Sequence, residues 1–167
     1  MNKLPKLILW FLILLFIQAF IFDPILLGIP YVPFVYVLLL IFLPNNWPSW
    51  VVLLVGFFIG FCVDFIFFSG GIHTAACTMI AFSRPLLIRA VFSETMAPEN
   101  LRVDQESFRS LLRYTTLVVL VHHFVVFVFV VGNMSRIGWF LNAWLTNSLL
   151  TILGVAFILL LTQNSRR

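Results

Sequence analysis

The stretch GFFIGFCVDFIFFSGGIH (residues 56–73) places a carboxylate inside an apolar run. The run begins at Trp50, in a chain of which only 10% of the residues are charged. Gly56, Gly60 and Asp64 recur every fourth residue, so on a helix they lie on one face. Small residues at this spacing allow a second helix to come close, which hides Asp64 from an apolar surrounding. The stretch therefore predicts helix packing around a buried acid.

The composition indicates that the surrounding is a lipid bilayer. Of the 167 residues, 62% are hydrophobic and 20 are phenylalanine, and the mean hydropathy is +1.11. A water-soluble domain needs more charged and polar side chains at its surface. An ionised acid at mid-span costs on the order of 2.5–3.5 kcal/mol, so we expect pairing, water or protonation to offset the charge of Asp64. The sequence predicts an all-α integral membrane protein with one domain, residues 1–167.

Apolar runs between Pro, Gly and charged residues predict six transmembrane helices, at about 20 residues per crossing. The second run contains Gly28, Pro30 and Pro33, so its continuous helix is expected only from about Pro33 to Leu43. The residues before it are expected to enter as irregular backbone sheltered by neighbouring helices. The predicted spans are residues 7–22, 25–43, 50–68, 72–91, 111–131 and 139–161, with a cytoplasmic loop at 92–110.

The distribution of basic residues favours cytoplasmic N- and C-termini. With six crossings, nine of the ten Lys and Arg residues lie on the inner side and only Arg136 lies outside. Omitting the second span would move the loop 92–110 to the outside. The first span is predicted to be a retained transmembrane helix and not a cleaved signal peptide, because residues 16–24 contain no convincing small-residue cleavage site. The net charge of +4 then indicates contact with anionic lipid headgroups and gives no argument for nucleic acid.

Three histidines are candidates for a polar cluster with Asp64. Helical rise places His73, His122 and His123 in the same outer half of the membrane as Asp64. Helical geometry permits a cluster of Asp64 with His73, or with one of the other two histidines. At most one of His122 and His123 should face it, because adjacent helical residues point about 100° apart. Hydrogen-bonded packing is the preferred role over a proton or metal function.

The remaining polar positions have structural interpretations. Arg84 and Arg89 are expected to extend their side chains to the cytoplasmic headgroups. Cys62 and Cys77 are expected to be small packing residues, with no disulfide or metal between them. The loop around residues 93–110 is either a solvated connector or a docking segment for a cytoplasmic partner. A polar edge suited to interhelical hydrogen bonds is formed on the sixth span by Asn142, Thr146, Asn147 and Thr151.

The sequence also lacks the phosphate-binding glycine loop of ATPases and the ligand spacings of metal sites, so neither a cofactor nor a bound metal is expected. A membrane hydrolase that uses Asp64 with a histidine is the least favoured alternative, because no serine or cysteine nucleophile with a convincing base accompanies them.

The region GFFIGFCVDFIFFSGGIHTAACTMIAFSRPLLIRAVF (56–92) resembles the signature region of the rod shape-determining protein MreD family. It has a Gly-rich span that ends in an acid, a short turn with Gly and His, a small-residue helix and then Arg-Pro. LVHHFVVFVF (120–129) is similar to the fifth span of MreD-like proteins of the Bacteroidetes type. Where that family commonly has an acid after the fifth span, this chain has VVGNMS (130–135). The resemblance is carried by Gly56, Gly60, Asp64, Gly70, Gly71, His73, Arg84, Pro85, His122 and His123.

The resemblance implies a non-enzymatic subunit of the cell-elongation machinery in the bacterial inner membrane. Such a subunit binds the bitopic protein MreC and, through it, acts with the MreB filament, the RodA glycosyltransferase and its penicillin-binding transpeptidase. Its fold is expected to resemble the substrate-binding subunits of energy-coupling-factor transporters, a likeness that transfers no activity.

Two functional hypotheses follow from these residues. In the first, Asp64 and His73 hold the outer ends of spans three and four through buried hydrogen bonds and so shape a surface for MreC. In the second, the chain binds or transports a small molecule or a lipid in an outward-facing cavity lined by Asp64, His73 and His122.

Overall fold

The structure, a computed structural model, describes residues 3–22, 32–92, 101–132 and 136–164, and no strand occurs among them. The helices are α1 (Lys3–Ile17), which continues as a π-helical segment (Gln18–Phe22), α2 (Val37–Ile41), α3 (Ser49–Phe67), α4 (Ile72–Val91), a 3-10 turn (Val103–Gln105), α5 (Phe108–Val131) and α6 (Ile137–Asn164).

Four of these helices are long and apolar enough to cross a membrane. They are α3, α4, α5 and the part of α6 at Ile137–Leu160, with mean hydropathies of 2.5, 1.2, 2.2 and 2.0. At 1.5 Å rise per residue, the 20 residues of α4 extend for about 30 Å, the thickness of a bilayer's hydrocarbon core. The all-helical architecture expected from the sequence is thus present, and the length and composition of its four long helices are compatible with a membrane protein.

The second predicted span does not contain the helix expected from Pro33 to Leu43. Within residues 32–43 the helix α2 has only five residues, and residues 32–36 are not helical. Pro33 disfavours helical backbone at the residue before it and has no N–H to donate. The expectation of irregular, sheltered backbone agrees with residues 32–36, whereas residues 23–31 lie outside the described part of the chain.

The short helix α2 lies at the centre of the bundle. All five of its residues are buried, with Ile41 and Val37 fully covered, and they belong to the main hydrophobic core. Helices α1, α4 and α5 contact it, while α3, α4, α5 and α6 pack in sequence order against one another. Apolar side chains therefore surround both α2 and the end of the irregular backbone that precedes it.

The bundle has two ends, which we name by their connections. The turn end carries the tight turn between α3 and α4, where Phe68, Gly70 and Gly71 have positive φ angles of 52°, 67° and 95°. The loop end carries residues 101–107, where Leu101 and Val103 are buried in the core. The described end of the 92–110 loop is therefore folded onto the bundle and is not only a solvated connector.

Candidate functional site at the turn end

Asp64 accepts four hydrogen bonds at the turn end. Its Oδ1 accepts from the Ser69 hydroxyl at 2.5 Å and from the His73 backbone N–H at 3.0 Å. Its Oδ2 accepts from the Thr74 backbone N–H at 2.7 Å and from the Thr74 hydroxyl at 2.5 Å. The N-cap residue of α4 is Gly71, which has no side chain to bind these N–H groups. Asp64 therefore caps α4 from the neighbouring helix, where the helix dipole also favours a negative charge.

Two glycines bring α3 close enough to α4 for this cap. A Cβ added at Gly60 would lie 2.5 Å from both the carbonyl oxygen of His73 and the Cα of Thr74. A Cβ at Gly56 would lie 2.7 Å from the Ala81 Cβ. The face predicted from the fourfold spacing is thus the one that contacts α4. Its packing places the Asp64 carboxylate against the first turn of that helix.

Among the described residues the His73 ring makes no hydrogen bond to the Asp64 carboxylate, which binds the backbone N–H of His73 instead. Its Nδ1 lies 2.7 Å from the hydroxyl of Tyr36, which also lies 3.1 Å from Nε2 of His122. The Sγ of Cys77 lies 3.8 Å from the same His122 nitrogen. Tyr36 therefore joins α4 and α5 at the start of α2, a role that the sequence analysis did not assign to it.

His123 belongs to a second chain of hydrogen bonds. The Phe34 backbone N–H donates to the Thr151 hydroxyl at 3.0 Å, and Thr151 Oγ1 lies 3.2 Å from His123 Nε2. His123 Nδ1 donates to the Val119 carbonyl at 2.9 Å, so in the neutral ring Nε2 accepts from Thr151. Although His122 and His123 are adjacent, both are fully buried, and neither contacts Asp64.

Side chains from the π-helical segment after α1 and from α6 satisfy the backbone N–H groups of the irregular segment 32–35. Val32 donates to Asn147 Oδ1 at 2.8 Å, and Val35 donates to Gln18 Oε1 at 3.0 Å. Phe34 binds Thr151, and Pro33 has no N–H, so each donor in the segment has a partner. Non-helical backbone at membrane depth requires this kind of shelter. Gln18 could have been suspected as the polar residue within an apolar first helix.

The polar edge predicted on α6 is divided between two environments. Asn147 and Thr151 are buried and accept from backbone N–H groups of the irregular segment, and Thr151 also binds His123 on α5. Thr146 donates to the side chain of Asn142 at 3.2 Å on the exposed side of α6. The expectation of interhelical hydrogen bonds therefore holds for Thr151, which binds His123 on α5, whereas Asn147 binds the backbone of the irregular segment.

The expectation that the Arg84 side chain extends to the headgroups is wrong. Its side chain is 4% exposed, and its guanidinium donates to the carbonyl oxygen of Leu43, just beyond the end of α2. A cation at a helix C-terminus is favoured by the partial negative charge of the last carbonyls. Arg89, between one and two turns further along α4, is exposed. The neighbouring Pro85 is exposed within α4.

A cavity of about 230 Å³ lies at the turn end and is called the turn-end cavity below. Asp64 and His122, which the sequence analysis placed in such a cavity, do not line it, whereas His73 does. The lining residues are Gln18, Val32, Phe34, Tyr36, Val63, Phe67, Ser69, Ile72, His73, Val126, Phe127, Val130 and Asn147.

The cysteines and histidines of the described residues do not form a metal centre. Cys62 and Cys77 are free thiols, and Cys77 is fully buried. Across residues 3–22, 32–92, 101–132 and 136–164, no group of three or more His, Cys, Asp or Glu side chains has an arrangement suited to a metal ion.

Comparisons of the chain with protein-family models, with curated proteins and with solved structures found no match.

Proposed function

We propose that the chain is a non-enzymatic scaffold subunit of the bacterial cell-elongation complex, of the MreD type, and that it binds MreC. The observation that carries this proposal is the use of the buried charges. Asp64 binds the first turn of α4, and Arg84 binds the carbonyl end of α2. Both groups are occupied in fixing helix positions. MreB, RodA and the penicillin-binding transpeptidase are the further members of the proposed complex.

The surroundings of Asp64 support a role other than catalysis. The nearest hydroxyls, those of Ser69 and Thr74, both donate to its carboxylate at 2.5 Å. The imidazole of His73 binds Tyr36 instead of Asp64. A hydrolase would need a histidine between the acid and a nucleophile, each within hydrogen-bond distance of the next. These side chains have a different arrangement, which favours the scaffold over the hydrolase.

The proposed topology has six crossings with both termini in the cytoplasm. In it, α1 is the first crossing and residues 25–43, with α2 as their helical part, are the second. Exposed arginines support a cytoplasmic loop end: Arg102, Arg109 and Arg113 lie there, and Arg136 lies at the turn end. An arrangement like that of energy-coupling-factor substrate-binding subunits, in the bacterial inner membrane, belongs to the same proposal.

The proposed surface for MreC is formed by the outer ends of α3 and α4. Phe65 and Phe68 are 74% and 91% exposed there, beside the turn that Asp64 stabilises. Large aromatic side chains of this kind frequently contribute to protein contacts. Because the Asp64 cap fixes the two helices relative to each other, it also fixes the position of these aromatic residues.

Co-purification of MreC with variants of the chain tests this proposal. Asp64→Ala and His73→Ala are expected to reduce the MreC recovered, whereas Ser83→Ala, whose hydroxyl binds only carbonyls of its own helix, is expected to leave it unchanged. Phe68→Ala tests the surface without disturbing the cap, with Phe82→Ala on α4, 72% exposed, as its control. The proposal would be contradicted if Asp64→Ala, His73→Ala and Phe68→Ala all folded normally and co-purified with as much MreC as the wild type.

The turn-end cavity favours a second candidate function, the binding of a small molecule or lipid. Its volume of about 230 Å³ is below the roughly 300–1,000 Å³ of sites for drug-sized ligands, so a small or partly inserted ligand is expected. Such a ligand should raise the unfolding temperature of the purified chain by an amount that grows with the logarithm of its concentration relative to Kd. Absence of any stabilisation across a ligand panel that includes lipids would count against this candidate.

A further inference from the structure

We propose that the turn-end cavity holds an acyl chain of a glycerolipid, whose ester carbonyl accepts a hydrogen bond from Nε2 of His73. This inference rests on the second candidate function, binding in the cavity, and is independent of the scaffold proposal.

The lining and the volume of the cavity favour a small apolar group. Aliphatic and aromatic side chains from α3, α4 and α5 make up much of the wall, namely Val63, Phe67, Ile72, Val126, Phe127 and Val130. A 150 Å³ apolar cavity holds benzene. By proportion, the 230 Å³ here admits roughly nine non-hydrogen atoms, which is a segment of an acyl chain.

The hydrogen bonds of Tyr36 determine which nitrogen of His73 carries a proton. The single hydroxyl proton of Tyr36 can be donated to only one of its two histidine partners. His122 Nδ1 is fully buried and has no partner among the described residues, whereas His73 lines the cavity and its Nε2 is not fully buried, so an unpaired N–H is less costly at His73 than at His122. His122 Nε2–H therefore donates to Tyr36, and Tyr36 donates to His73 Nδ1. The proton of the neutral His73 ring is then on Nε2.

This N–H is one of the polar groups on the cavity wall, beside the side chains of Gln18, Ser69 and Asn147. His73 lines the cavity and is 7% exposed, and within the described part of the chain its Nε2 has no hydrogen-bond partner. An N–H that lines an apolar cavity without an acceptor gains a hydrogen bond when an acceptor enters. An occupant that combines an apolar chain with an acceptor oxygen would match both the wall and this donor.

The position of His73 matches the depth of lipid ester groups. His73 is the second residue of α4, whose 20 residues extend for about 30 Å, the thickness of the hydrocarbon core. It therefore lies at the boundary between the acyl chains and the headgroups, where ester carbonyls are found. The rim is also apolar, since Val130 is 47% exposed and Phe68, beside the lining residue Phe67, is 91% exposed. Entry from the lipid is favoured over entry from water.

Photolabelling of the full chain in vesicles tests the proposal. The vesicles contain phosphatidylethanolamine and phosphatidylglycerol, with a trace of diester phosphatidylglycerol that carries a diazirine in one acyl chain. Labels mapped by mass spectrometry are expected on Val126, which is 2% exposed and which lipid around the bundle does not reach. Labels confined to exposed residues would overturn the proposal.

A matched pair of variants on α5 locates the labelled lipid. Val130 and Val128 are 47% and 46% exposed, but only Val130 lines the cavity. Val130→Trp should fill the mouth and reduce labelling of Val126 by about tenfold, the factor that corresponds to 1.4 kcal/mol. Val128→Trp should leave the labelling unchanged. An equal effect of the two variants, in protein with an unaltered unfolding temperature, would overturn the proposal.

A diether probe with the same chains and headgroup tests the hydrogen bond without any mutation. It lacks the carbonyl, so its labelling of Val126 should be about five- to tenfold weaker than that of the diester probe. Equal labelling by both probes would overturn the role of His73. If neither probe labels Val126 but a different small molecule raises the unfolding temperature, the lipid proposal fails while binding in the cavity stands.

Discussion

The Asp64 carboxylate on α3 accepts a hydrogen bond of 2.7 Å from the Thr74 backbone N–H on α4. It thereby serves as the N-cap side chain of a helix whose own N-cap residue is Gly71. Arg84 has the complementary role, since it donates to the Leu43 carbonyl beyond the C-terminus of α2. Each of these buried charges thus meets a helix end of opposite partial charge, which explains how an apolar bundle accommodates both.

Removal of the Asp64 carboxylate should destabilise the bundle. Asp64→Ala leaves two backbone N–H groups and two hydroxyls without their acceptor, so we expect a loss of about 2–3 kcal/mol in the free energy of unfolding. Asp64→Asn should be nearly as harmful, because its NH2 group faces donors. The measurement is chemical unfolding in detergent, with Ser83→Ala as the control. Stability equal to wild type for Asp64→Ala would show that the cap contributes nothing.

The close contact between α3 and α4 predicts opposite effects for two glycine substitutions. Gly60→Ala would place a methyl group 2.5 Å from backbone atoms of α4 and should cost about 1–3 kcal/mol. Gly154→Ala on α6 meets no atom within 4 Å and should be neutral or stabilising by up to about 1 kcal/mol. The test is to measure the unfolding temperatures of both variants in the same detergent and compare them with that of the wild type. Equal unfolding temperatures would contradict the contact.

The features that follow from local periodicity could be predicted from the sequence. Continuous apolar runs locate α3, α4, α5 and α6 to within a few residues. The spacing of Gly56, Gly60 and Asp64 identifies the face of α3 that packs on α4. Both signals depend only on neighbouring residues and on the geometry of one helix. For the same reason, a carboxylate on that face could be expected to find a partner in α4.

The partners themselves could not be predicted, because they depend on the path of a segment that is not helical. Pro33 indicates irregular backbone, but the sequence does not reveal that Gln18, Asn147 and Thr151 bind its neighbours. The distance of Arg84 from the helix end suggested an extended side chain. That interpretation is wrong because the C-terminus of α2 lies beside Arg84, and only the tertiary structure places it there.

The two arginines of α4 should respond differently to truncation. Arg84→Ala removes a buried donor from the carbonyl end of α2 and should lower the free energy of unfolding by about 2–3 kcal/mol. Arg89→Ala removes an exposed side chain from the same helix and should change it by less than about 0.5 kcal/mol. Denaturant titration of both variants tests the difference. If Arg84 extended to the headgroups instead, the two effects would be similar.

The threonines of α6 provide a test of the sheltered segment. Thr151→Val keeps the shape of the side chain but removes the acceptor of the Phe34 N–H and the donor to His123. The expected loss is about 0.6 kcal/mol, the average measured for hydrogen bonds between membrane helices, and at most about 1.7 kcal/mol. In addition, amide hydrogen exchange at Phe34 should become faster, because its N–H loses its acceptor.

Thr146→Val is the matched control, since its hydroxyl contacts only the Asn142 side chain, on the exposed side of α6. It should change the free energy of unfolding by less than about 0.5 kcal/mol. The rate of amide exchange at Phe34 should stay the same. Faster amide exchange at Phe34 in Thr151→Val alone would show that the Thr151 hydroxyl on α6 protects the backbone of the irregular segment. Unchanged exchange in both variants would mean that the Thr151 hydroxyl does not hold this backbone in place.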